Sequence, residues 1–543
     1  MKVVLLQPPV QDFYDTEVRL QPLGLCALKA AVGLHLPGAE VRVRDYRQGW
    51  GRRTVKLPAA LADLRAYYPV ADRSPFSTFH NYYHFGAGFE ALAAEVAGEK
   101  PDLVGISSLF SAYHREVLRC AEEIVARCDV PVVVGGTHAS AAPESLLAHP
   151  AVAYVIRGEG ERPLVELLRA LGEGRDPSGV PNLMYRIGER LVRNPSAENY
   201  PLAELPPPDF SDLPVERYRL GRRPLASLTA SRGCPHRCRF CSLQRTVGNG
   251  HRRRPVESIL DEIRLRHTQG YRALDFEDDN LTLARSEMET LCRGLIGEYP
   301  EGELALQAMN GVSYLSLDPE LLGLMRRAGF THLNLSLVSL DEATCRAMGR
   351  PHSAKAYVQV VHAAFRLGFR LVSYQILGLP GETLGSMIET LAFSARLPVL
   401  LGASPFYLPP GAPLAEGLGE MDERQLVRCR LTALGLESRD AIYTLFVATR
   451  ILNFLKGLSL EVGAKVSLGE ALEAARKLGE REALGAEILE RVFREGILYA
   501  AGPQGLEPLP RFRTELFCSL WGQMEYLTTQ TGATIQARSR GDR

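Results

Sequence analysis

The chain has 543 residues, of which 46% are hydrophobic and 23% are charged, and its 63 basic and 63 acidic residues give a formal net charge of zero. This composition is typical of a globular protein of about three or four domains, and the balanced charge argues against a polyanion-binding protein. Ten cysteines are too sparse for a disulfide scaffold, and no apolar stretch reaches the ~18 residues of a membrane-spanning helix. We therefore expect a cytoplasmic protein with reduced thiols.

Short apolar strands alternate with helical segments over residues 1–195. The predicted strands are Val3–Gln7, Glu40–Tyr46, Leu103–Ser108, Val130–Gly136 and Val152–Arg157, and the clearest helices are Leu23–Leu36 and His114–Cys128. Strands separated by helices predict a doubly wound, Rossmann-like parallel sheet. Several strands end in glycine or serine, so we expect a binding crevice at their carboxyl ends.

An irregular stretch, residues 49–89, interrupts this pattern and ends in a run of aromatic residues between Phe76 and Phe89. The interpretation we favour is an insertion that packs its rings onto the edge of the sheet. The alternative is a flap over a bound ligand.

The proline-rich composition of residues 196–224 is typical of a linker. Six further strands follow, each separated by a helical segment: Ala226–Ser231, Ala273–Glu277, Leu304–Met309, His332–Leu337, Leu371–Leu377 and Val399–Phe406. They predict a partial (β/α)6 barrel over residues 225–414, with its site at the carboxyl ends of the strands. Residues 415–543 predict a helical C-terminal domain with helices at Asp422–Leu436, Ala441–Leu458, Leu468–Leu478 and Glu482–Arg494.

Three cysteines, Cys234, Cys238 and Cys241, form a C-x3-C-x2-C pattern just after the first strand of this second series. Thiolates at this spacing bind zinc or an iron–sulfur cluster. A structural zinc normally has four protein ligands, so it would have to take His236 or His251 as well. We favour a [4Fe–4S] cluster in which one iron is left open for an exogenous ligand.

The pattern C-x3-C-x-aromatic-C after the first strand of a strand–helix series resembles the radical S-adenosylmethionine (SAM) superfamily. The resemblance implies that the three cysteines are the catalytic cluster ligands and that Phe240 lies beside the adenine of SAM. The segments 276–280 (FEDDN), 376–382 (ILGLPGE) and 404–414 (SPFYLPPGAPL) resemble further family segments. By this resemblance the other SAM-binding residues are Glu277, Asp279, Ser336, Ser339, Gln375 and Ile376. Val338 departs from the pattern, because relatives carry an acidic residue at this position.

The first 195 residues resemble the cobalamin-binding domain of the B12-dependent radical SAM class, which includes the magnesium-protoporphyrin cyclase and phosphonate methylase groups. The similar segments are 22–25 (PLGL), 105–111 (GISSLFS), 135–140 (GGTHAS) and 157–161 (RGEGE). The resemblance implies that cobalamin is bound by Leu23, Gly24, Ser107, Ser111, Gly135, Gly136, Gly158 and Glu159. A generic Rossmann-like nucleotide site is the alternative.

The first strand–helix loop, residues 11–17, has no D-x-H-x-x-G segment, so we expect no histidine below the cobalt from this loop. His138 lies on a different turn, and we predict that it hydrogen-bonds locally.

These resemblances imply a cobalamin-dependent radical SAM methyltransferase. Such an enzyme removes hydrogen from an unactivated carbon with a 5′-deoxyadenosyl radical and transfers a methyl group from methylcobalamin. Two alternatives stay open: an oxidative cyclase or rearrangement enzyme with the same cofactors but no methyl transfer, and a non-catalytic cobalamin or Fe–S sensor. We expect a small-molecule, lipid or natural-product substrate, an external electron donor of the flavodoxin or ferredoxin type, and no nucleic-acid partner.

Overall fold

The computed structural model describes residues 1–13, 21–419, 421–427 and 439–537. Residues 14–17 of the first strand–helix loop and residues 428–436 of the predicted helix Asp422–Leu436 lie outside these ranges. Within the described ranges, no helix is long and apolar enough to cross a membrane.

The strands of the described chain are numbered in sequence order. They are β1 Lys2–Gln7, β2 Val10–Asp12, β3 Glu40–Asp45, β4 Arg52–Val55, β5 Tyr82–Phe85, β6 Leu103–Ser107, β7 Val132–Gly135, β8 Tyr154–Ile156, β9 Leu183–Ile187, β10 Arg190–Arg193, β11 Arg219–Leu220, β12 Arg223–Leu228, β13 Ser231–Arg232, β14 Arg252–Arg253, β15 Ala273–Phe276, β16 Ala305–Gln307, β17 His332–Val338, β18 Arg370–Leu377, β19 Leu400–Pro405, β20 Lys465–Ser467, β21 Tyr499–Gly502, β22 Gly505–Pro508, β23 Tyr526–Thr528 and β24 Thr534–Gln536.

The α-helices are numbered in the same way. They are α1 Leu23–His35, α2 Phe89–Gly98, α3 His114–Val125, α4 Thr137–Ala141, α5 Pro143–Leu147, α6 Glu161–Gly172, α7 Leu243–Val247, α8 Val256–Thr268, α9 Arg285–Glu298, α10 Pro319–Ala328, α11 Glu342–Ala347, α12 Ala354–Arg366, α13 Leu384–Ala395, α14 Glu423–Val427, α15 Arg439–Lys456, α16 Leu468–Arg476, α17 Glu480–Glu495 and α18 Thr514–Gly522.

The chain divides into two compact units, each assembled from several stretches of sequence. Unit 1 comprises residues 1–56, 82–279 and 408–429, and unit 2 comprises residues 57–81, 280–407 and 430–543. The domain boundaries at residues 195, 224 and 414 stay a prediction from sequence.

The main sheet of unit 1 has the strand order β10-β9-β8-β7-β6-β1-β3. The five neighbouring strands β8, β7, β6, β1 and β3 are parallel to one another. Strand β9 pairs antiparallel with β8, and β10 pairs antiparallel with β9. Burial of β1 and β6 on both faces explains why these strands are continuous apolar runs. The chain order reverses on either side of β1, so the crevice expected of such a sheet opens at the carboxyl ends of β1 and β6. The predicted doubly wound sheet is confirmed.

Residues 196–224 are not an exposed spacer in unit 1. Tyr200, Leu202 and Leu205 form a buried apolar cluster, and Phe210 packs edge-on against Tyr271. The segment continues into β11, which pairs with β12, and β12 in turn pairs in parallel with β15. Residues 196–224 are therefore a packed connection within unit 1.

All six strands predicted for the barrel are present, as β12 and β15 in unit 1 and β16 to β19 in unit 2. In unit 2, β17, β18 and β19 form a parallel sheet, and a parallel bridge between Leu306 and Phe330 joins β16 to the start of β17. Helix α10 begins at the N-cap residue Asp318, whose carboxylate accepts hydrogen bonds from two backbone amides of the first turn.

The C-terminal part of unit 2 contains the helices α15 to α18 and five short strands, β20 to β24, which the helical pattern did not predict. Residues 57–81 pack against these helices, with ring centroids 5.4 Å apart for Phe76 and Phe454 and 5.2 Å apart for Tyr67 and Tyr443. The prediction that the rings of residues 49–89 cover the edge of the sheet is therefore wrong for Phe76. Its apolar partners come from the C-terminal helices.

A buried charge triad joins three segments of unit 1. Glu262 on α8 lies 2.5 Å from Arg254 and 3.2 Å from Arg266, and all three side chains are almost completely buried. Arg254 also donates to the carbonyl of Thr229, and Arg266 donates to the carbonyl of Pro208. The triad thus ties α8 to the end of β12 and to the packed connection.

We predict that Glu262→Gln destabilises the protein by about 3–5 kcal/mol, because it leaves two buried guanidinium groups without their shared carboxylate. Urea unfolding followed by circular dichroism measures the effect. The control is Glu257→Gln on the same helix, whose exposed side chain pairs with Arg264. We expect this control to change stability by less than about 0.5 kcal/mol. Equal losses in both variants would contradict the prediction.

Candidate cofactor-binding site

The three cysteines lie on a loop that is closed by a short antiparallel stem. Strands β13 and β14 pair Ser231 with Arg253 and Arg232 with Arg252, and we call residues 231–253 the cysteine hairpin. Gly233 has a φ of +89°, and a Cβ at this position would lie 2.5 Å from the carbonyl oxygen of Gly250. The loop can therefore close only with glycine before Cys234.

Two aspartates after β15 hold the start of the cysteine hairpin. Asp278 accepts hydrogen bonds from the backbone N–H of Ala230 and from the hydroxyl of Ser231, and Asp279 accepts one from the N–H of Gly233 at 2.8 Å. Burial raises the pKa of Asp278 to about 6. Asp279 therefore holds the backbone of the hairpin through Gly233. The predicted SAM residue Glu277 directly follows β15 and is half-buried.

The three cysteines of the hairpin are not joined in disulfides, and Cys238 is buried while Cys234 and Cys241 are half-buried. Burial raises the pKa of the Cys241 thiol. In the described part of the chain, no three histidine, cysteine or acidic side chains are close enough to share one metal ion. Three cysteines on one loop fit a [4Fe–4S] cluster, because each cysteine then binds a different iron.

The cysteine hairpin lies beside the turns at the carboxyl edge of the main sheet, within unit 1. Helix α7 follows Cys241 almost directly and packs against α4, which follows β7. A Cβ on Gly158 would lie 3.3 Å from the carbonyl oxygen of Thr246 in α7. The loop of residues 408–414 is also close, since the N–H of Leu414 donates to the carbonyl of Arg239 at 3.0 Å.

The turn after β7 has the features of a cradle for a ligand. Gly136 has a φ of +115°, and its Cβ would lie 2.6 Å from the carbonyl oxygen of Ser108, whereas a Cβ on Gly135 would meet open space. Ser107 pairs with Gly135 at the ends of β6 and β7. The hydroxyl of Ser108 is buried and has no hydrogen-bond partner among the described residues. Open space and an unsatisfied hydroxyl at a glycine turn fit the tail of a cobalamin.

Ser111 and His138 bond to each other beside this turn. The Nδ1 atom of His138 lies 2.8 Å from the hydroxyl of Ser111, and its Nε2 atom lies 3.2 Å from the hydroxyl of Ser145. Burial and the neighbouring His114 lower the pKa of His138 to about 3. Both ring nitrogens are therefore engaged locally, as the sequence predicted.

The predicted cobalamin residues Leu23, Gly24 and Glu159 have different surroundings. Leu23 and the exposed Gly24 begin α1. Glu159 is buried and forms an ion pair with Arg252, while its second oxygen lies 3.5 Å from Arg232. Both arginines lie in the stem of the cysteine hairpin, and the sequence pattern did not single out Arg232.

The predicted SAM residues of unit 2 fall on both faces of their strands. Gln375 is buried and donates to the hydroxyls of Ser373 and Ser394, on the face of β18 that packs against α13, whereas Ile376 lies on the opposite face. The half-buried Ser336 precedes an irregularity in the register of β17. Gln375 is thus oriented toward helix packing.

Ser339 belongs to a local network that the sequence pattern missed. Its hydroxyl donates to Glu382 at 2.7 Å, and Glu382 also accepts from the N–H groups of Gly378 and Leu379. Burial raises the pKa of Glu382 to about 7. The carboxylate that ends the ILGLPGE segment therefore fixes that loop to the end of β17, where Val338 has a φ of +71°.

Comparison with known families agrees with this architecture. The radical SAM superfamily matches residues 228–394, and the B12 binding domain matches residues 78–168. The chain contains a radical SAM domain and a B12-binding domain. These two domains imply a [4Fe–4S] cluster, SAM and cobalamin as its cofactors.

Individual relatives extend the similarity over more of the chain. This chain is 28% identical to an uncharacterised methyltransferase from Pyrococcus horikoshii over 57% of this chain and 68% of the relative. This chain is also 24% identical to cytidylyl-2-hydroxyethylphosphonate methyltransferase from Streptomyces wedmorensis over 70% of this chain and 73% of the relative. The radical SAM methyltransferase TsrM from Kitasatospora setae, solved with cobalamin and a [4Fe–4S] cluster bound, has a TM-score of 0.58 at 20% identity, covering 79% of this chain and 84% of that one. This last likeness shows the fold.

We predict that Gly135→Ala leaves the fold intact but weakens hydroxocobalamin binding at least tenfold (about 1.4 kcal/mol). The added methyl group enters the open space where a ligand tail would pass. Equilibrium binding by absorbance measures the affinity, and Gly98→Ala serves as the control because its Cβ also meets open space, on α2. Unchanged affinity in Gly135→Ala would contradict this placement of the tail.

The lowered pKa of His138 predicts an acid-sensitive stability. The folded chain holds the ring neutral, so its contribution is present above the ordinary histidine pKa of ~6.5 and is lost as the pH falls from there toward about 3. We expect His138→Gln to flatten this loss, by at most about 1.4 kcal/mol per pH unit. Urea midpoints between pH 7.5 and pH 5 measure it, with the exposed His362→Gln as control. The same slope in wild type and His138→Gln would refute the assignment.

Proposed function

We propose that this protein is a cobalamin-dependent radical SAM methyltransferase that methylates an unactivated carbon. One observation carries the proposal: the cysteine hairpin lies within the same compact unit as the glycine turns of the B12-binding sheet, with α7 against α4. This packing supports chemistry that uses both groups together. When bound, the cluster, SAM and cobalamin supply an electron, a hydrogen-abstracting radical and a methyl carrier.

The residues of the chain have three tasks in this reaction. Cys234, Cys238 and Cys241 hold the cluster and leave one iron for SAM. The turns that contain Ser107, Gly135, Gly136 and Gly158 leave room for the cobalamin tail. Within unit 1, Phe240 and Glu277 are the residues we propose for positioning SAM, and in unit 2 we propose Ser336 and Ile376 from the sequence resemblance alone.

A cyclase or rearrangement enzyme with the same cofactors is the second candidate, and a non-catalytic sensor is the third. The methyltransferase reading has more support, because both relatives described above are methyltransferases. The substrate class we propose is a small molecule, lipid or natural-product intermediate. A flavodoxin- or ferredoxin-type donor in the cytoplasm would supply the electron.

The test that separates these candidates needs no substrate. The reconstituted protein is incubated anaerobically with hydroxocobalamin, a reductant and SAM that carries a deuterated methyl group. We expect mass spectrometry to find the label on the cobalamin. Cleavage of SAM to 5′-deoxyadenosine without label on the cobalamin would favour the cyclase or rearrangement enzyme, and neither product would favour the sensor.

We further predict that Cys241→Ala abolishes 5′-deoxyadenosine formation and leaves hydroxocobalamin binding unchanged, because the cluster and the cobalamin use different residues. Chromatography of the nucleoside and absorbance titration give the two readings. Cys518→Ala is the matched control, since Cys518 is exposed and lies outside the hairpin. Persistent 5′-deoxyadenosine formation in Cys241→Ala would exclude the assigned cluster.

A further inference from the structure

Two arginines face each other across the stem of the cysteine hairpin. Arg232 of β13 and Arg252 of β14 are direct cross-strand partners. Like charges in this arrangement repel each other, and a stem of only two residue pairs has little hydrogen bonding with which to resist. Without compensation, the pairing of these strands would be unfavourable.

The compensation comes from residues 157–161, the turn after β8 together with the first residue of α6, which we call the Gly-Glu turn. Glu161 lies 2.6 Å from Arg232, and Glu159 contacts Arg252 with one oxygen and lies 3.5 Å from Arg232 with the other. Two carboxylates thus neutralise two guanidinium groups. The side chains of both glutamates are only 5–6% exposed, so solvent screens these pairs weakly.

The same turn also touches the far side of the hairpin loop. Gly158 approaches the carbonyl of Thr246 in α7, and its N–H donates to the hydroxyl of Ser140 in α4. The Gly-Glu turn therefore contacts the hairpin on both sides of the three cysteines.

We propose that Glu159 and Glu161 are positioning residues that hold the cysteine hairpin closed. The positions of the three cluster ligands are then fixed by a turn of the B12-binding sheet. This proposal rests on the proposed function, because it takes the three cysteines as cluster ligands. It assigns Glu159 to the arginines of the stem instead of to cobalamin. The turn that borders the predicted path of the cobalamin tail then also governs how firmly the cluster is held.

The first test uses the metal-free protein and hydrogen–deuterium exchange. The backbone amides of Gly233, Cys241 and Arg254 are hydrogen-bonded, so their exchange reports opening of the hairpin. We expect Glu161→Gln to accelerate their exchange at least about tenfold, because the loss of one partner of a buried ion pair is strongly destabilising. Glu166→Gln is the matched control, since Glu166 lies on the same helix and its half-exposed side chain pairs with Arg169.

A cycle with Arg232→Gln then tests the pairing itself. If Glu161 and Arg232 stabilise the hairpin through their ion pair, the double variant Glu161→Gln/Arg232→Gln exchanges its hairpin amides no faster than the faster of the two single variants. After anaerobic reconstitution, we expect iron release to a chelator to be faster in Glu161→Gln by a similar factor. Additive effects, or exchange that accelerates equally in β1 and β6, would show general destabilisation and overturn the proposal.

Glu159→Gln separates the two roles of the turn. We expect faster hairpin exchange with unchanged hydroxocobalamin affinity. Weakened cobalamin binding with unchanged exchange would instead make Glu159 a cobalamin ligand and overturn the proposal for that residue. The failure of the proposed function looks different, because the wild-type protein itself would then take up no cluster or no cobalamin.

Discussion

The register of the parallel strands is the constraint on which the site depends. Because β6, β7 and β8 run in the same direction with their ends aligned, the turns that follow them meet at one edge of the sheet. Gly135 and Gly136 can then lie near Gly158 although the chain between them forms two helices. The hydrogen bonds from Ser140 to Gly136 and from Gly158 to Ser140 fix these turns to each other.

Charge decides how the cysteine hairpin is held there. Its start is anchored by Asp278 and Asp279 after β15, and its stem is neutralised by Glu159 and Glu161 at the start of α6. Asp278, Glu159 and Glu161 are buried, so each of these carboxylates depends on its donors. A loop of thiols and arginines is thereby held by acidic groups from two other segments of the chain.

Much of this architecture could be predicted from sequence, because its strongest signals are local. Short apolar runs separated by helical segments predicted the strands of both series to within a few residues, and the spacing of the cysteines marked the loop that the stem closes. The local hydrogen bonding of His138 also followed from its place in the chain. These features depend on backbone geometry and on near neighbours.

The orientations and partners that depend on distant segments could not be predicted. Side chains along β18 alternate between its two faces, and Gln375 points toward α13. The motif around Gln375 does not show which face of the strand its side chain occupies and which face Ile376 occupies. The ion-pair partners of Glu159, Arg232 and Arg252, lie more than 70 residues away in the sequence, so the motif around Glu159 does not reveal them. The sequence placed Phe76 at the sheet edge. Its aromatic neighbour Phe454 comes from α15, a segment far away in the sequence that local patterns do not reveal.

The path of the chain has a consequence for how the protein is made. Unit 1 receives its last segment from residues 408–429, and unit 2 receives its first from residues 57–81. Neither unit is therefore complete until most of the chain has left the ribosome, so folding cannot proceed one domain at a time from the N-terminus. A truncation after residue 195 or residue 414 would likewise divide both units and expose the apolar surface that the missing segments cover.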